Sequence, residues 1–416
     1  MKNNDRNGLV ITGADDAAAR AYDAYVDEFL SYGANLRALF TAADAAPACA
    51  LLNAHAAVLH LAFEGVEGWA LAAPYFERVE QAAQGGLTER EAAFCEAAFA
   101  WRAKDFAGAL EALNRLTERA PQDLCALKWG QYHAFNLGDQ GAMLVLADRV
   151  RAAHKNAPYA HGLIAFALEQ NHRLEEAACE GERAVQIAPD DAWAHHAVAH
   201  VFESEGRSED GLAWLRAMSD HWDAKGVFIR EHNWWHAALF HLALDDREGA
   251  LRIFDDRLWG EWPEFPQEQI GAVSLLWRLE LRGVDVGERW APVVVEARAR
   301  LGDHLFPFHD LHYLLALARA GEDGEAADFL ASMRRHGEAL DGAAKAAWLE
   351  ACVPCGEALC AFAADDFARA ASRLSAAAPA LRRIGGSHAQ RYMFAETRRN
   401  AAVASRARGH AEACEA

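Results

Sequence analysis

Residues 170–207, QNHRLEEAACEGERAVQIAPDDAWAHHAVAHVFESEGR, decide the fold class of this chain. They begin and end with turn-like segments, Gln170-Asn-His-Arg173 and Ser204-Glu-Gly-Arg207, whose first residues are 34 positions apart. A third such segment, Asn136-Leu-Gly-Asp139, starts another 34 positions upstream. A fixed period of this length indicates stacked copies of one supersecondary unit.

Each unit reads as two helices. Apolar residues recur three and four positions apart, as in Ala197, Val198 and Val201, and alternating strand patterns are nearly absent. Residues 174–189 read as a second helix that ends at Pro189, and Asp190 is the predicted N-cap of the next helix. The period is that of the tetratricopeptide repeat, or TPR. The predicted fold is therefore all-α, a TPR-like α-solenoid curled around a concave inner cleft that the first helices line.

The repeat pattern weakens towards the start of the chain. Residues 1–90 are predicted to form an N-terminal helical cap, and residues 91–416 a TPR-like array continuous with it. Irregular stretches such as residues 260–267 interrupt the array without changing its apolar, helical character.

Charge and composition limit the classes of partner. The chain has 416 residues, with 41 Lys and Arg against 61 Asp and Glu, and a net charge of −20. Nucleic-acid binding requires neutralised phosphates, so nucleic acid is predicted not to be a partner. No signal-peptide core and no long apolar run is visible, and the eight cysteines are scattered. These features predict a cytoplasmic protein with no membrane contact.

Histidines are concentrated on successive first helices. His196 and His200 are four residues apart, and His232 and His236 repeat this spacing in the next unit. Residues at i and i+4 share one face of a helix. Two such imidazoles can share a metal ion, or one can orient the other as a general base. Hydrogen-bonded structural histidines are the competing interpretation.

Five segments together resemble the tetratricopeptide repeat protein 38 family: residues 163–169, 191–201, 206–207, 231–241 and 385–391. The resemblance runs from about residue 90 to residue 397 and implies a TPR-like solenoid, without assigning a reaction. The positions that match the family motifs are His196, His200, His232, Asn233, His236, Asp310, His312, Ser387, His388, Gln390 and Arg391. The chain departs from the family pattern at His161 and Tyr392.

The leading functional hypothesis is a small-molecule enzyme of the hydrolase or lyase type. The predicted catalytic residues are His196, His200, His232, His236 and Asp310, with Asp310 orienting an imidazole. The predicted substrate-binding residues are His161, Glu169, Asn233, Trp235, His312, His388, Gln390 and Arg391. No cofactor is required, and a divalent metal held by His196 and His200 is the variant mechanism.

Two other functions stay open at this stage. One is a non-enzymatic scaffold that binds a peptide or protein partner in the groove. The other is a passive small-molecule binder that uses the same pocket. The expected partner is a small-molecule substrate, and assembly into a homo-oligomer is left open.

Overall fold

The computed structural model describes the backbone of residues 2–415 and the side chains of residues 3–408. Two short strands, β1 (Lys2–Asn4) and β2 (Val10–Thr12), form an antiparallel pair with Asn3 opposite Ile11. All other regular elements in the described range are helices, and the predicted all-α, TPR-like solenoid class is confirmed.

The chain divides into two compact units, the first ending at His236 and the second beginning at Ala237. The helices up to this boundary are α1 (Asp16–Ser31), α2 (Ala38–Ala45), α3 (Ala50–Leu61), α4 (Glu67–Ala83), α5 (Glu89–Arg102), α6 (Phe106–Arg119), α7 (Leu124–Asn136), α8 (Gln140–Arg151), α9 (Ala160–Gln170), α10 (Leu174–Ile187), α11 (Ala192–Ser204), α12 (Ser208–Met218) and α13 (Val227–Ala243), the last of which spans the boundary. The predicted division near residue 90 lies inside unit 1 and stays a prediction.

Unit 2 continues with α14 (Arg247–Ile253), α15 (Pro266–Glu280), α16 (Trp290–Arg298), α17 (Pro307–Arg319), α18 (Asp323–Ala339), α19 (Gly342–Ala346), α20 (Val353–Ala363), α21 (Phe367–Ala377) and α22 (His388–Glu415). Within unit 1 the 3-10 helix Ser219–His221 follows α12. Within unit 2 the helices are joined by two 3-10 helices, Gly287–Arg289 and Ala378–Ile384, and by two π-helical segments, Phe254–Leu258 and Ala347–Cys352.

The predicted repeat boundaries are correct. Helices α7, α9 and α11 end at Asn136, Gln170 and Ser204, the first residues of the three turn-like segments. The N-cap of α11 is Asp191 rather than the predicted Asp190. Its carboxylate accepts the backbone N–H groups of Trp193 and Ala194, which have no partner within the helix.

First and second helices of unit 1 differ in burial. Every residue of α9 is buried, since α9 packs against α8, α10 and α11. In contrast α10 buries one stripe of small residues, Ala177, Gly181 and Ala184. A Cβ added at Gly181 would lie 2.3 Å from Val198 Cγ2, so glycine permits the close approach of α10 to α11. First helices are therefore the core of the stack, and second helices form its outer layer.

In unit 2, α20 packs against α17, α18 and α21. The stretch Gly342–Ala363 is long and apolar enough to cross a membrane, but 56% of its most apolar window is buried in the structure. That burial is typical of a core helix in a soluble protein. The cytoplasmic location itself stays a prediction.

Candidate histidine site

Four imidazoles from two neighbouring first helices meet in unit 1. His196 and His200 extend from α11, and His232 and His236 extend from α13. Each of the four residues offers one ring nitrogen, and these four nitrogens all lie within 4.8 Å of one another. Both predicted pairs therefore belong to one cluster, which we call the four-histidine cluster.

The rings are close but not parallel. The centroids of His196 and His200 are 4.6 Å apart at an interplanar angle of 88°, and those of His200 and His236 are 4.4 Å apart at 64°. Nε2 of His232 lies 3.1 Å from Nε2 of His196. Two acceptor nitrogens do not approach this closely unless a proton or another electrophile lies between them.

Two carboxylates contact the outer side of the cluster. Oε2 of Glu169 lies 3.7 Å from Nδ1 of His200, and Oε2 of Glu203 lies 3.5 Å from Nδ1 of His236. Glu169 is fully buried and also accepts hydrogen bonds from Ser204 Oγ and Gln170 Nε2. The predicted site residue Glu169 is thus held beside the cluster.

Aromatic side chains form the walls. The Phe166 ring lies 5.1 Å from that of His196, and the Trp193 ring lies 4.4 Å from it. Trp235, a predicted binding residue, stacks on His232 at 5.5 Å with an interplanar angle of 8°. Their apolar surfaces lower the local polarity around the imidazoles.

Burial and neighbouring histidines keep His196 and His232 uncharged. Burial first, and then the charges of the other three histidines, hold the pKa of His196 well below 6.5. The pKa of His232 is lowered for the same reasons, burial and His236. Both imidazoles are therefore neutral at pH 7.

Other predicted residues of unit 1 have contacts of a different kind. Both ring nitrogens of His161 are engaged, Nδ1 at 2.5 Å from Glu180 Oε2 and Nε2 at 3.0 Å from the Lys155 carbonyl. The Asn233 side-chain amide donates to the Ala192 carbonyl at 3.1 Å, which fastens α13 to the start of α11. These two contacts hold the helices in place, and neither residue is among the four that form the cluster.

The remaining predicted residues lie in unit 2. Asp310 is predicted to orient an imidazole, and its carboxylate contacts His304 Nδ1 at 2.6 Å. Its catalytic role stays a prediction. Nε2 of His304 in turn lies 2.8 Å from Ser332 Oγ. Burial raises the pKa of Asp310 to about 6, against the lowering effect of His304. Sequence reasoning missed both partners of this chain of hydrogen bonds.

The next predicted residues of unit 2 form hydrogen bonds with groups close to them in the sequence. Nδ1 of His312 bonds to the Phe308 carbonyl at 2.7 Å. The Arg391 guanidinium donates to the Gly385 and Gly386 carbonyls, and its Nη2 lies 3.4 Å from His388 Nδ1. These contacts stabilise the turn at Gly385 and Gly386. The substrate-binding roles of His388 and Arg391 stay predictions.

The last predicted residue of unit 2 caps a helix. The side-chain oxygen of Gln390 accepts the Ser387 N–H at 2.8 Å, and Ser387 Oγ accepts the Gln390 N–H at 3.2 Å. This reciprocal pair is a capping box at the start of α22.

Glu203 is the residue of the histidine site that sequence reasoning could have found. It follows His196 and His200 at i+7 and i+3, so helical spacing alone places it on their face.

No known protein-family model matches the chain. Among solved structures, human IFIT1 in a dimer with m7Gppp-AAAA is similar at 11% identity and a TM-score of 0.46, over 92% of this chain and 85% of that one. Cut9, in the APC/C hetero-tetramer Cut9-Hcn1, is similar at 12% identity and a TM-score of 0.41. That match covers 80% of this chain, which spans 63% of the other.

The TPR domain of P58(IPK) is also similar, at 12% identity and a TM-score of 0.20, over 77% of this chain and 99% of that one. At such identity the likeness concerns the fold alone. It supports a TPR-type protein but not the narrower tetratricopeptide repeat protein 38 family. The predicted partner, a small-molecule substrate with nucleic acid excluded, is wrong: Cut9 assembles with Hcn1, and the IFIT1 dimer contains m7Gppp-AAAA.

Proposed function

We propose that the chain is a non-enzymatic binding scaffold of the TPR type, which recognises a short aromatic segment of a partner protein through the first helices of unit 1. One observation carries the proposal: these helices already bind a polypeptide segment, residues 29–33 of the same chain. We call residues 29–33 the Tyr32 segment. Membership of the tetratricopeptide repeat protein 38 family is a further part of the proposal, supported by residues 191–201.

Helix α7 binds the first aromatic residue of the segment. The Phe29 ring stacks on Trp129 with centroids 4.6 Å apart. The Lys128 amine donates to the Phe29 carbonyl and lies 4.3 Å from the Phe29 centroid. Burial lowers the pKa of Lys128 well below 10.5, so the hydrogen bond to the carbonyl, which a neutral amine also donates, carries the recognition. Both the ring and the backbone of Phe29 are therefore recognised.

Helices α11 and α13 bind the second aromatic residue. Tyr32 stacks on Trp193 at 5.2 Å and contacts Phe228 at 5.8 Å, while Lys128 Nζ lies 3.2 Å from its centroid. The Tyr32 carbonyl accepts the Gly226 N–H at 2.7 Å, next to an antiparallel bridge between Gly33 and Lys225.

Main-chain hydrogen bonds combined with side-chain pockets are one way in which folded domains recognise a peptide. Here the recognised segment is the last turn of α1 and the two residues that follow it. The contacts select two aromatic side chains three residues apart, as in Phe29-Leu-Ser-Tyr32. A partner with a Phe-x-x-Tyr segment has the complementary chemistry.

The pKa shifts favour a scaffold over the hydrolase or lyase hypothesis. A general base works best when its pKa is close to the operating pH. The pKa values of His196 and His232 are instead held well below 6.5 by burial. Asp310, the predicted orienting carboxylate, bonds to His304 within unit 2.

A peptide added in trans tests the proposal. In Tyr32→Ala, we expect a synthetic peptide of residues 26–36 to bind with a Kd on the order of 10–100 µM. In the wild type the tethered segment competes at an effective concentration of about 1 mM, so binding should be at least tenfold weaker. Fluorescence anisotropy of the labelled peptide measures both values.

Tyr392→Ala is the matched control, because Tyr392 is an exposed tyrosine of unit 2 and its loss should leave peptide affinity at the wild-type level. A folded Tyr32→Ala variant that binds the peptide no better than the wild type would refute the proposal. A capped oligoribonucleotide is titrated in parallel. Saturable binding of the oligonucleotide without peptide binding would assign the scaffold to RNA instead.

A further inference from the structure

The four-histidine cluster carries an inference that goes beyond the scaffold function. Its nitrogens come from two helices and are all within 4.8 Å of one another. Three of its members, His196, His200 and His236, are at most 1% exposed, and His232 is half-buried. Nδ1 of His196 has no hydrogen-bond partner among the described residues. Its Nε2, by contrast, lies 3.1 Å from Nε2 of His232, so Nε2 is the nitrogen that His196 offers to the centre of the cluster.

We propose that His196, His200, His232 and His236 bind one divalent transition-metal ion, with Zn²⁺ as the reference ion. Imidazole nitrogen suits Zn²⁺, Cu²⁺ and Ni²⁺, whereas Mg²⁺ and Ca²⁺ require oxygen ligands. Four protein ligands complete a tetrahedral Zn²⁺ shell and leave no position for water. The ion is therefore structural, which agrees with a scaffold that carries out no reaction.

The distances are compatible with such a shell after small side-chain rotations. A Zn–N distance of about 2.0–2.1 Å makes the edge of a tetrahedron about 3.3 Å. The 3.1 Å separation of the His196 and His232 Nε2 atoms is already close to that edge. The 4.8 Å limit on the widest pair requires the rings to close by about 1.5 Å.

Two carboxylates lie where metal sites commonly have a hydrogen-bond partner for a ligating histidine. A histidine that binds a metal through one nitrogen commonly donates its other N–H to a carboxylate, which fixes the tautomer. Glu169 is positioned for this at His200 Nδ1, and Glu203 at His236 Nδ1. In both residues Nε2 would then be the metal ligand. The two carboxylates also balance the charge of a divalent ion in a buried site.

Zinc binding to the full chain is the test. Tag-free protein is stripped with a chelator and titrated with Zn²⁺ against a chromophoric competitor. The proposal expects one ion per chain with a Kd below about 1 µM. His232→Ala removes a half-buried ligand and should weaken binding at least 100-fold. His172→Asn is the matched control: it removes an exposed histidine, and asparagine tolerates the positive φ of 57° at this turn.

The Glu169→Gln variant tests whether Glu169 positions a histidine ligand without binding the metal itself. It keeps all four imidazoles and should weaken Zn²⁺ binding about 10–100-fold, the usual effect of losing an outer carboxylate. Wild-type protein that binds less than one equivalent would overturn the proposal, whether or not any variant folds. Equal affinity in the wild type and a folded His232→Ala variant would overturn it as well. Neither result bears on the peptide assay, so the scaffold function is tested separately.

Discussion

Arg90→Met should lower the free energy of unfolding by about 3–5 kcal/mol, the usual cost of removing one partner from a buried ion pair. Arg90 is 8% exposed. Its Nε contacts Asp123 Oδ2 at 2.7 Å, its Nη1 contacts Asp5 Oδ2 at 2.8 Å, and its Nη2 donates to Tyr22 Oη at 2.7 Å. The arginine therefore joins the N-terminal hairpin, α1, α5 and α7. Chemical unfolding followed by circular dichroism measures the change.

The electrostatic reason is that two buried carboxylates would lose their counter-ion. Burial alone would raise the pKa of Asp123. The charge and hydrogen bond of Arg90, together with His55 and the Ala126 N–H, outweigh burial and hold that pKa below its usual value. In Arg90→Met, the carboxylates of Asp5 and Asp123 stay buried but lose the cation that they share in this network. Arg119→Met is the control, since Arg119 pairs with Glu89 at the surface and should cost less than about 1 kcal/mol. An Arg90 variant as stable as this control would contradict the assignment.

Acid should unfold the protein well above the pKa of its ordinary carboxyl groups. Burial lowers the pKa of His55, His133 and His309 to about 3 and that of His312 to about 4. A lowered folded-state pKa gives stability that is complete above pH 6.5 and is lost as the pH falls towards the folded value. Each imidazole contributes a slope of about 1.4 kcal/mol per pH unit in that window.

Two buried carboxylates act in the opposite direction. Burial raises the pKa of Asp191 and Asp310 to about 6, so between pH 6 and 3.8 each stabilises the folded state as the pH falls. The four histidines above outnumber these two carboxylates by two, which gives a net loss of at least about 5 kcal/mol from pH 6 to pH 4. His195, His196 and His232, whose pKa values burial also lowers, add to this loss. Unfolding midpoints measured between pH 4 and pH 7.5 give the slope directly.

His133 provides the control for the acid effect. It is fully buried, its ring lies 4.4 Å from that of Trp101, and neither of its nitrogens has a hydrogen-bond partner among the described residues. His133→Leu should be neutral or stabilising at pH 7, because it removes an unsatisfied polar group. It should also reduce the acid slope by about 1.4 kcal/mol per pH unit. An unchanged slope would show that His133 does not titrate as described.

Local patterns predicted the fold and half of the histidine site. The period of 34 and the prolines set the helix boundaries, since helix ends depend on residues a few positions apart. The i, i+4 spacing placed His196 with His200 and His232 with His236, because the helix geometry fixes which residues share a face. The contact between the pairs follows from the stacking of neighbouring repeats.

Contacts between distant parts of the chain could not be predicted in the same way. Tyr32 lies against Trp193 and Phe228, more than 150 positions later, and no local pattern encodes such a pairing. The same holds for Asp310, which helical spacing placed at the start of α17 but could not pair with His304. His304 occupies a loop with φ of 43°, outside any periodic segment.

The most direct test uses the full chain loaded with one equivalent of Zn²⁺. X-ray absorption at the zinc edge shows whether two neighbouring repeats place four imidazoles around one ion. The structure predicts a single shell of four nitrogen neighbours at about 2.0–2.1 Å, with the outer scattering of imidazole rings. A shell dominated by oxygen, or one that fits fewer than three imidazoles, would contradict that convergence.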